Sequence, residues 1–333
     1  MELIAPTVTD VVAAQRRLAG LVVRTPASSW TALDRAVHRA GAVGASVVVK
    51  QENLQHTGAF KVRGALNLLL QLPPAARDAG IVGYSTGNHA QALAYAARHV
   101  GAPCTIVMPT DPNPVKERAV RDLGAEVVLH GERLEDACAH AGTLADARGA
   151  RLVSAADEPD LVAGVATATL ELLQQVPDLD VLVVPVGGGS GAAAACVVAA
   201  ALAPGLEVVA VQAAASPAAH DSWRAGELVA RPNRTRAEGL AVGRGFALTQ
   251  GVLRRHLSDF LLVDDDAITR GQHAYLTAAR TVAEGAGAAA LSAVLTHPER
   301  FAGRRTGVVC SGGNASEAEL RRALTCDATA VPA

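Results

Sequence analysis

The chain has 333 residues, half of them hydrophobic and 19% charged, which suits one large or two modest α/β domains and argues against disorder. Its formal net charge of −2 and aromatic content of 3% exclude the basic face and the stacking platforms of a nucleic-acid binder. No apolar run reaches the roughly 20 residues of a bilayer span, no basic-then-apolar leader opens the chain, and the five scattered cysteines read as reduced thiols, so the expectation is a cytoplasmic protein with neither membrane span nor metal.

Apolar periodicity predicts a helix over Thr9–Ala19 and a short strand over Val47–Lys50. The next segment, Lys50–Ala65, reads KQENLQHTGAFKVRGA. Lys61 falls where a glycine-containing turn enters a helix over Val62–Gln71. A lysine at a helix start is ordinarily solvated. Phe60 beside it would desolvate the amine, and a desolvated amine is more easily neutral and nucleophilic. A strand over Gly80–Tyr84 then leads through STGNHAQ, Ser85–Gln91, into a helix over His89–His99. Consecutive N–H groups with the side chains of Ser85, Thr86, Asn88 and His89 around Gly87 suit a carboxylate. Plain capping of the helix by Ser85, Thr86 or Asn88 is the alternative.

The alternation continues with strands Thr105–Met108 and Glu126–Leu129 and helices Val115–Leu123, Leu134–Ala147 and Asp160–Gln175. A strand over Val181–Pro185 meets PVGGGSG, Pro185–Gly191, ahead of a helix over Ala192–Ala201. Three successive glycines open the backbone so that N–H groups can converge on a phosphate; a tight structural turn is the plainer alternative. Neither a Walker loop nor a dinucleotide fingerprint fits the spacing. After a strand over Glu207–Gln212, residues 216–258 are irregular, broken by Pro217, Pro232, Gly239, Gly243 and Gly245, as an active-site wall often is. A helix over Asp266–Val282 and a strand over Gly307–Cys310 follow. That strand runs into CSGGN, where Ser311 stands at its end and Gly312–Gly313 leave room for a flat ring. Short continuous apolar strands between helices indicate parallel sheets covered on both faces.

Together and in this order, the four glycine-marked segments are far more specific than any one of them. With them the chain resembles the fold-type II pyridoxal-phosphate (PLP) enzymes, in particular the threonine/serine dehydratase and serine racemase group. The resemblance runs from about Thr9 to Ser316 and includes AEGLAV (Ala237–Val242) and EGAGAAAL (Glu284–Leu291). It implies a two-domain α/β fold of the tryptophan synthase β type, with parallel-rich twisted sheets flanked by helices. Residues 1–79 and 157–333 would form a large PLP-binding domain and 80–156 a small mobile one, in a homodimer. It implies pyridoxal 5′-phosphate as a Schiff base on Lys61 beside Phe60. Asn88 would meet its 3′ oxygen, Gly187, Gly188, Gly189, Ser190 and Gly191 its phosphate, and Ser311 its pyridine nitrogen. Ser85, Thr86, Gly87, Asn88 and His89 would take the carboxylate of a small amino-acid substrate.

The implied reaction is removal of the α-proton by Lys61 and loss of β-hydroxide from a threonine, serine or 3-hydroxyaspartate type of substrate, giving a 2-oxo acid and ammonia. A neutral hydroxyl at the ring nitrogen favours prompt loss of the β-substituent. One alternative is an amino-acid racemase, with Thr86 as a second acid/base. Another is the dehydratase-like enzyme of hydroxyectoine catabolism, which shares STGNH. A catalytically silent binder would have little use for Lys61 together with Asn88 and Ser311. The chain departs from the family at several places. Thr86 stands where racemases carry serine and dehydratases alanine. Gln212–Ala218, QAAASPA, lacks the carboxylates of the family's cation site. Gly164–Thr167 reads GVAT for GQGT, and Ser190 replaces a common glycine. Arg244 is a candidate reader of a second carboxylate, against the plainer reading of a solvated arginine.

Overall fold

A computed structural model describes residues 4–326; the outermost residues of the expected large domain, 1–3 and 327–333, lie outside them. Ten strands form two sheets. They are β1 (Ala27–Ser28), β2 (Ser46–Gln51), β3 (Ile81–Tyr84), β4 (Cys104–Met108), β5 (Glu126–Leu129), β6 (Arg151–Val153), β7 (Val181–Pro185), β8 (Glu207–Ala213), β9 (Asp259–Val263) and β10 (Arg305–Cys310). The larger sheet has the order β1-β2-β10-β7-β8-β9 and the smaller β5-β4-β3-β6. Every pairing between these strands is parallel except the antiparallel β1–β2 edge. Strands β2, β7 and β8 are buried almost end to end, because helices cover both faces and leave no side of the pleat wet. Among the described residues no helix is long and apolar enough to cross a membrane.

Two helices cross closely where the chain has no side chains to spare. The helix Lys61–Leu69 lies on the helix Pro159–Gln175, and a Cβ on Gly164 would sit 2.5 Å from the Arg63 carbonyl and 2.6 Å from the Asn67 Cβ. The glycine that opens GVAT is therefore a packing requirement. The large side of the core is built mostly of Val, Leu and Ala from both layers, and the smaller sheet has its own apolar layer from Val82, Val107, Ala137, Ala141 and Ala145.

All seven expected strands are present, with ends moved by no more than two residues. The last expected helix differs more. It runs only from Asp265 to Ala274, passes into one π-turn at Tyr275–Ala279, and stops at Arg280, which is left-handed at φ 52°. After the stop the chain leaves the helix and reaches Gly312, to whose carbonyl the Glu284 N–H donates at 3.1 Å. Nor is the 216–258 stretch wholly irregular: it holds the helices Ala218–Ala225 and Ala247–His256.

Candidate active site

In open α/β sheets ligands gather beyond the carboxyl ends of the strands, and a cavity of about 450 Å³ lies there. Its walls come from the segments after β3, β4, β5, β6, β7 and β10, with Glu238–Val242 closing one side. Lys61, Thr86, Asn88, His89, the loop Gly187–Gly191 and Ser311 all line it, so residues far apart in the chain meet in one place.

Lys61 opens its helix and points its amine into this space. Nζ donates to Ser190 Oγ at 2.9 Å and to the Ala155 carbonyl at 3.0 Å, and it stands 5.2 Å from the centre of the Phe60 ring. Burial pulls the amine down to about 8. The chain's other lysines, Lys50 and Lys116, are paired with Glu171 at 2.9 Å and Glu238 at 2.6 Å. Lys61 has no carboxylate partner.

The turn before Lys61 is fixed from below. Arg63 is fully buried. It donates from Nε and Nη2 to Glu52 at 2.8 and 2.9 Å, and from Nη1 and Nη2 to Glu171 at 2.8 and 2.9 Å. Two cations, Lys50 and Arg63, thus face two carboxylates, a balanced set of the kind burial requires. From above, the Phe60 N–H donates to the Ser311 carbonyl at 3.1 Å. Thr57, left-handed at φ 60°, has its carbonyl held by Asn314 Nδ2 at 2.8 Å.

The loop after β3 resolves the capping question. The helix Asn88–Val100 has Gly87 as its N-cap and no side-chain cap bond, while the Ser85 hydroxyl accepts from the Gly87 N–H at 3.1 Å. Neither Thr86 nor Asn88 caps the helix, so the first-turn N–H groups stay available to an anion. His89 is buried and neither ring nitrogen makes a well-formed hydrogen bond; burial, reinforced by the nearby Lys61 and only partly offset by the Val153 backbone, holds its pKa down to about 3. The ring is neutral.

Asn88 is only half-buried, but both ends of its side chain are bonded. Its Nδ2 donates to Glu284 Oε1 at 2.5 Å, and its Oδ1 accepts from Asn314 Nδ2 at 2.8 Å. Glu284 is buried, and burial pushes its carboxyl up to about 7. Glu284 opens EGAGAAAL, a segment to which the sequence alone assigned no site residue. Its signal was there: a lone carboxylate inside a small-residue apolar run is poorly placed for water.

The glycine loop is open because side chains would not fit. A Cβ on Gly187 would run into the Gly239 carbonyl; one on Gly188 would press Ala156 and Phe246, at 3.0 and 3.3 Å. Gly189 is left-handed at φ 91°. Gly191 is less constrained, since its Cβ would meet Val184 and Phe60 only at ordinary contact, 3.5 and 3.6 Å. The loop runs into the 13-residue helix Ser190–Leu202, whose N-terminus adds its own pull on an anion. Bare backbone N–H groups, a helix start, a free amine and the buried Ser311 hydroxyl together fit a flat, phosphate-bearing carbonyl compound.

Other residues fall elsewhere. Arg244 is exposed and outside the cavity lining. In QAAASPA the Gln212 Oε1 accepts from the Ala219 and His220 N–H groups at 3.1 and 3.0 Å, capping a helix with a side chain. Among the described residues no group of three or more His, Cys, Asp or Glu side chains is placed to hold a metal. Tyr84 and Lys116 also line the cavity without having been expected there, while Glu238 and Phe246 belong to the 216–258 stretch expected to form a wall.

The chain is similar in sequence and fold to known proteins. The family model described as pyridoxal-phosphate dependent enzyme matches residues 22–312. An L-threonine ammonia-lyase of Geobacter sulfurreducens is 38% identical, over 85% of this chain and 71% of its own. An L-threo-3-hydroxyaspartate ammonia-lyase of Pseudomonas sp is 36% identical, over 92% of this chain and 94% of its own. The structure of maize serine racemase superposes with a TM-score of 0.88 at 29% identity, covering 96% of this chain and 97% of that one.

Proposed function

The chain belongs to the pyridoxal-phosphate dependent enzymes, and from that premise we propose that it is an ammonia-lyase, converting a small β-hydroxy amino acid of the threonine, serine or 3-hydroxyaspartate type to a 2-oxo acid and ammonia. The observation that carries the reading is the Lys61 amine. It is the one lysine without a carboxylate partner, it is brought to about 8 by burial, and it touches the glycine loop at Ser190 within the cavity. When bound, pyridoxal phosphate supplies an electron sink for the bond broken at an amino acid's Cα.

The chain's own residues do the rest. Lys61 carries the cofactor at rest and, once released, removes the α-proton; an amine near 8 has a useful neutral fraction at neutral pH. The loop Gly187–Gly191 and its helix would hold the phosphate, with Phe60 beside the lysine, and Asn88 and Ser311 would hold the ring through its 3′ oxygen and its nitrogen. Ser311 would offer a neutral hydroxyl there, and such a partner favours expulsion of β-hydroxide. The unbonded N–H groups around Thr86, Asn88 and His89 take the substrate carboxylate, and the neutral His89 adds no charge beside Lys61. Segment 80–156, which contains β3–β6, is the small domain whose closure excludes water.

A second reading, an amino-acid racemase, is favoured by one observation: Thr86 lines the same cavity and is not used as a helix cap. An assay of threonine, serine and 3-hydroxyaspartate for 2-oxo acid and ammonia tests the proposal. Release from at least one of them, faster than inversion of the recovered amino acid, is expected. Inversion faster than release, lost in Thr86→Ala, overturns it in favour of the racemase.

A further inference from the structure

The glycine loop contains one polar side chain, Ser190, at a position where the sequence departs from its family's usual glycine. The side chain is 1% exposed. It heads the helix Ser190–Leu202, which has no side-chain cap bond. Its hydroxyl is spent on Lys61 instead, 2.9 Å from Nζ, while the amine's second partner is the Ala155 carbonyl at 3.0 Å. These two partners differ in kind. A carbonyl can only accept, whereas a hydroxyl can donate to a neutral amine's lone pair or accept from an ammonium. Ser190 can therefore stay bonded to Lys61 in both protonation states.

We propose that Ser190 is a positioning residue for Lys61: its hydroxyl, with the Ala155 carbonyl, seats the lysine amine whenever that amine is not joined to the cofactor, and stabilises the proton it has taken from the substrate. The inference rests on Lys61 being the cofactor-bearing lysine. In the step concerned the Cα–H bond breaks and leaves its electron pair on the substrate, the N–H bond forms on Lys61, and the resulting ammonium donates to Ser190 Oγ and to the Ala155 carbonyl. Ser190 itself gains and loses no atom. Deleting the hydroxyl leaves a buried ammonium with one partner. The charged form suffers more than the neutral one, because hydrogen bonds from an ionised donor are about twice as strong, so the amine must lose its proton at lower pH.

The test follows acetylation of Lys61 by acetic anhydride in the cofactor-free full chain from pH 6 to 10. Labelling is quantified on the Lys61 peptide by mass spectrometry against the same peptide fully acetylated after denaturation. In the native chain half-maximal labelling is expected near pH 8. In both Ser190→Ala and Ser190→Gly the midpoint is expected to fall by about half a unit to one unit, making labelling at pH 7 about three- to fivefold faster. The two variants are read together because alanine keeps the Cβ and glycine removes it, so a shift common to both belongs to the hydroxyl. A shift in only one variant, in neither, or upwards overturns the proposal. Failure of the underlying reading looks different: reduction would then trap the cofactor on Lys50 or Lys116, whatever the titration of Lys61.

Discussion

Glu284→Gln isolates the energetic cost of the buried carboxyl beside Asn88. Gln keeps an oxygen to accept from Asn88 Nδ2, which donates to Glu284 Oε1 at 2.5 Å, and removes only the titration. The carboxyl is raised by burial to about 7 from its ordinary 4.5. Below pH 4.5 the group is protonated folded and unfolded, and contributes no pH dependence. As pH rises towards 7 the unfolded chain gives up its proton while the folded one keeps it, so stability falls; above 7 both are ionised and the loss levels off. At about 1.4 kcal/mol per unit the full loss is about 3 kcal/mol, most of it between pH 5 and 8. Urea unfolding of the cofactor-free protein at those two pH values is the assay. The native chain should lose about 2 to 3 kcal/mol more than Glu284→Gln between them. Equal losses would refute the claim that Glu284 is held protonated by burial.

Other perturbations have equally definite outcomes. Glu52→Ala should cost about 3–5 kcal/mol in urea unfolding, because it leaves the fully buried Arg63 short of a carboxylate. A loss under about 1 kcal/mol, the range of a surface pair, would count against that network as the anchor of the lysine turn. Gly187→Ala should weaken cofactor binding about tenfold or more, since its Cβ meets the Gly239 carbonyl, whereas Gly191→Ala should be nearly neutral, since its Cβ finds ordinary contacts; equal effects, read by equilibrium dialysis, would contradict the cradle. Lys61→Ala should lower ammonia release by at least about 10²-fold, the scale of a lost general base. Thr86→Ala should leave most ammonia release intact, and a comparable collapse there would make Thr86 a required acid or base.

How much of this was legible depended on whether the signal was local. Strands β2, β7 and β8 are continuous apolar runs and announced themselves. β1, two residues long, and β6, the three residues Arg151–Val153, offer no pattern to read. The helix Gly285–Thr296 was missed for the opposite reason: it is buried along most of its length, and a helix apolar all round shows no amphipathic period. Lys61 and the glycine loop were visible because turn glycines next to a strand or helix carry local meaning. Ser190 was visible as a departure, but its bond to Lys61 joins residues 129 apart. The Lys116–Glu238 pair and the Asn88–Glu284 pair likewise join distant segments, which only the folded chain brings together.

The central claim, that Lys61 carries the cofactor on the floor of this cavity, is tested most directly by borohydride reduction of the purified protein followed by peptide mass spectrometry. The account predicts a phosphopyridoxyl group on the peptide containing Lys61. The same group on a peptide containing Lys50 or Lys116 would contradict it.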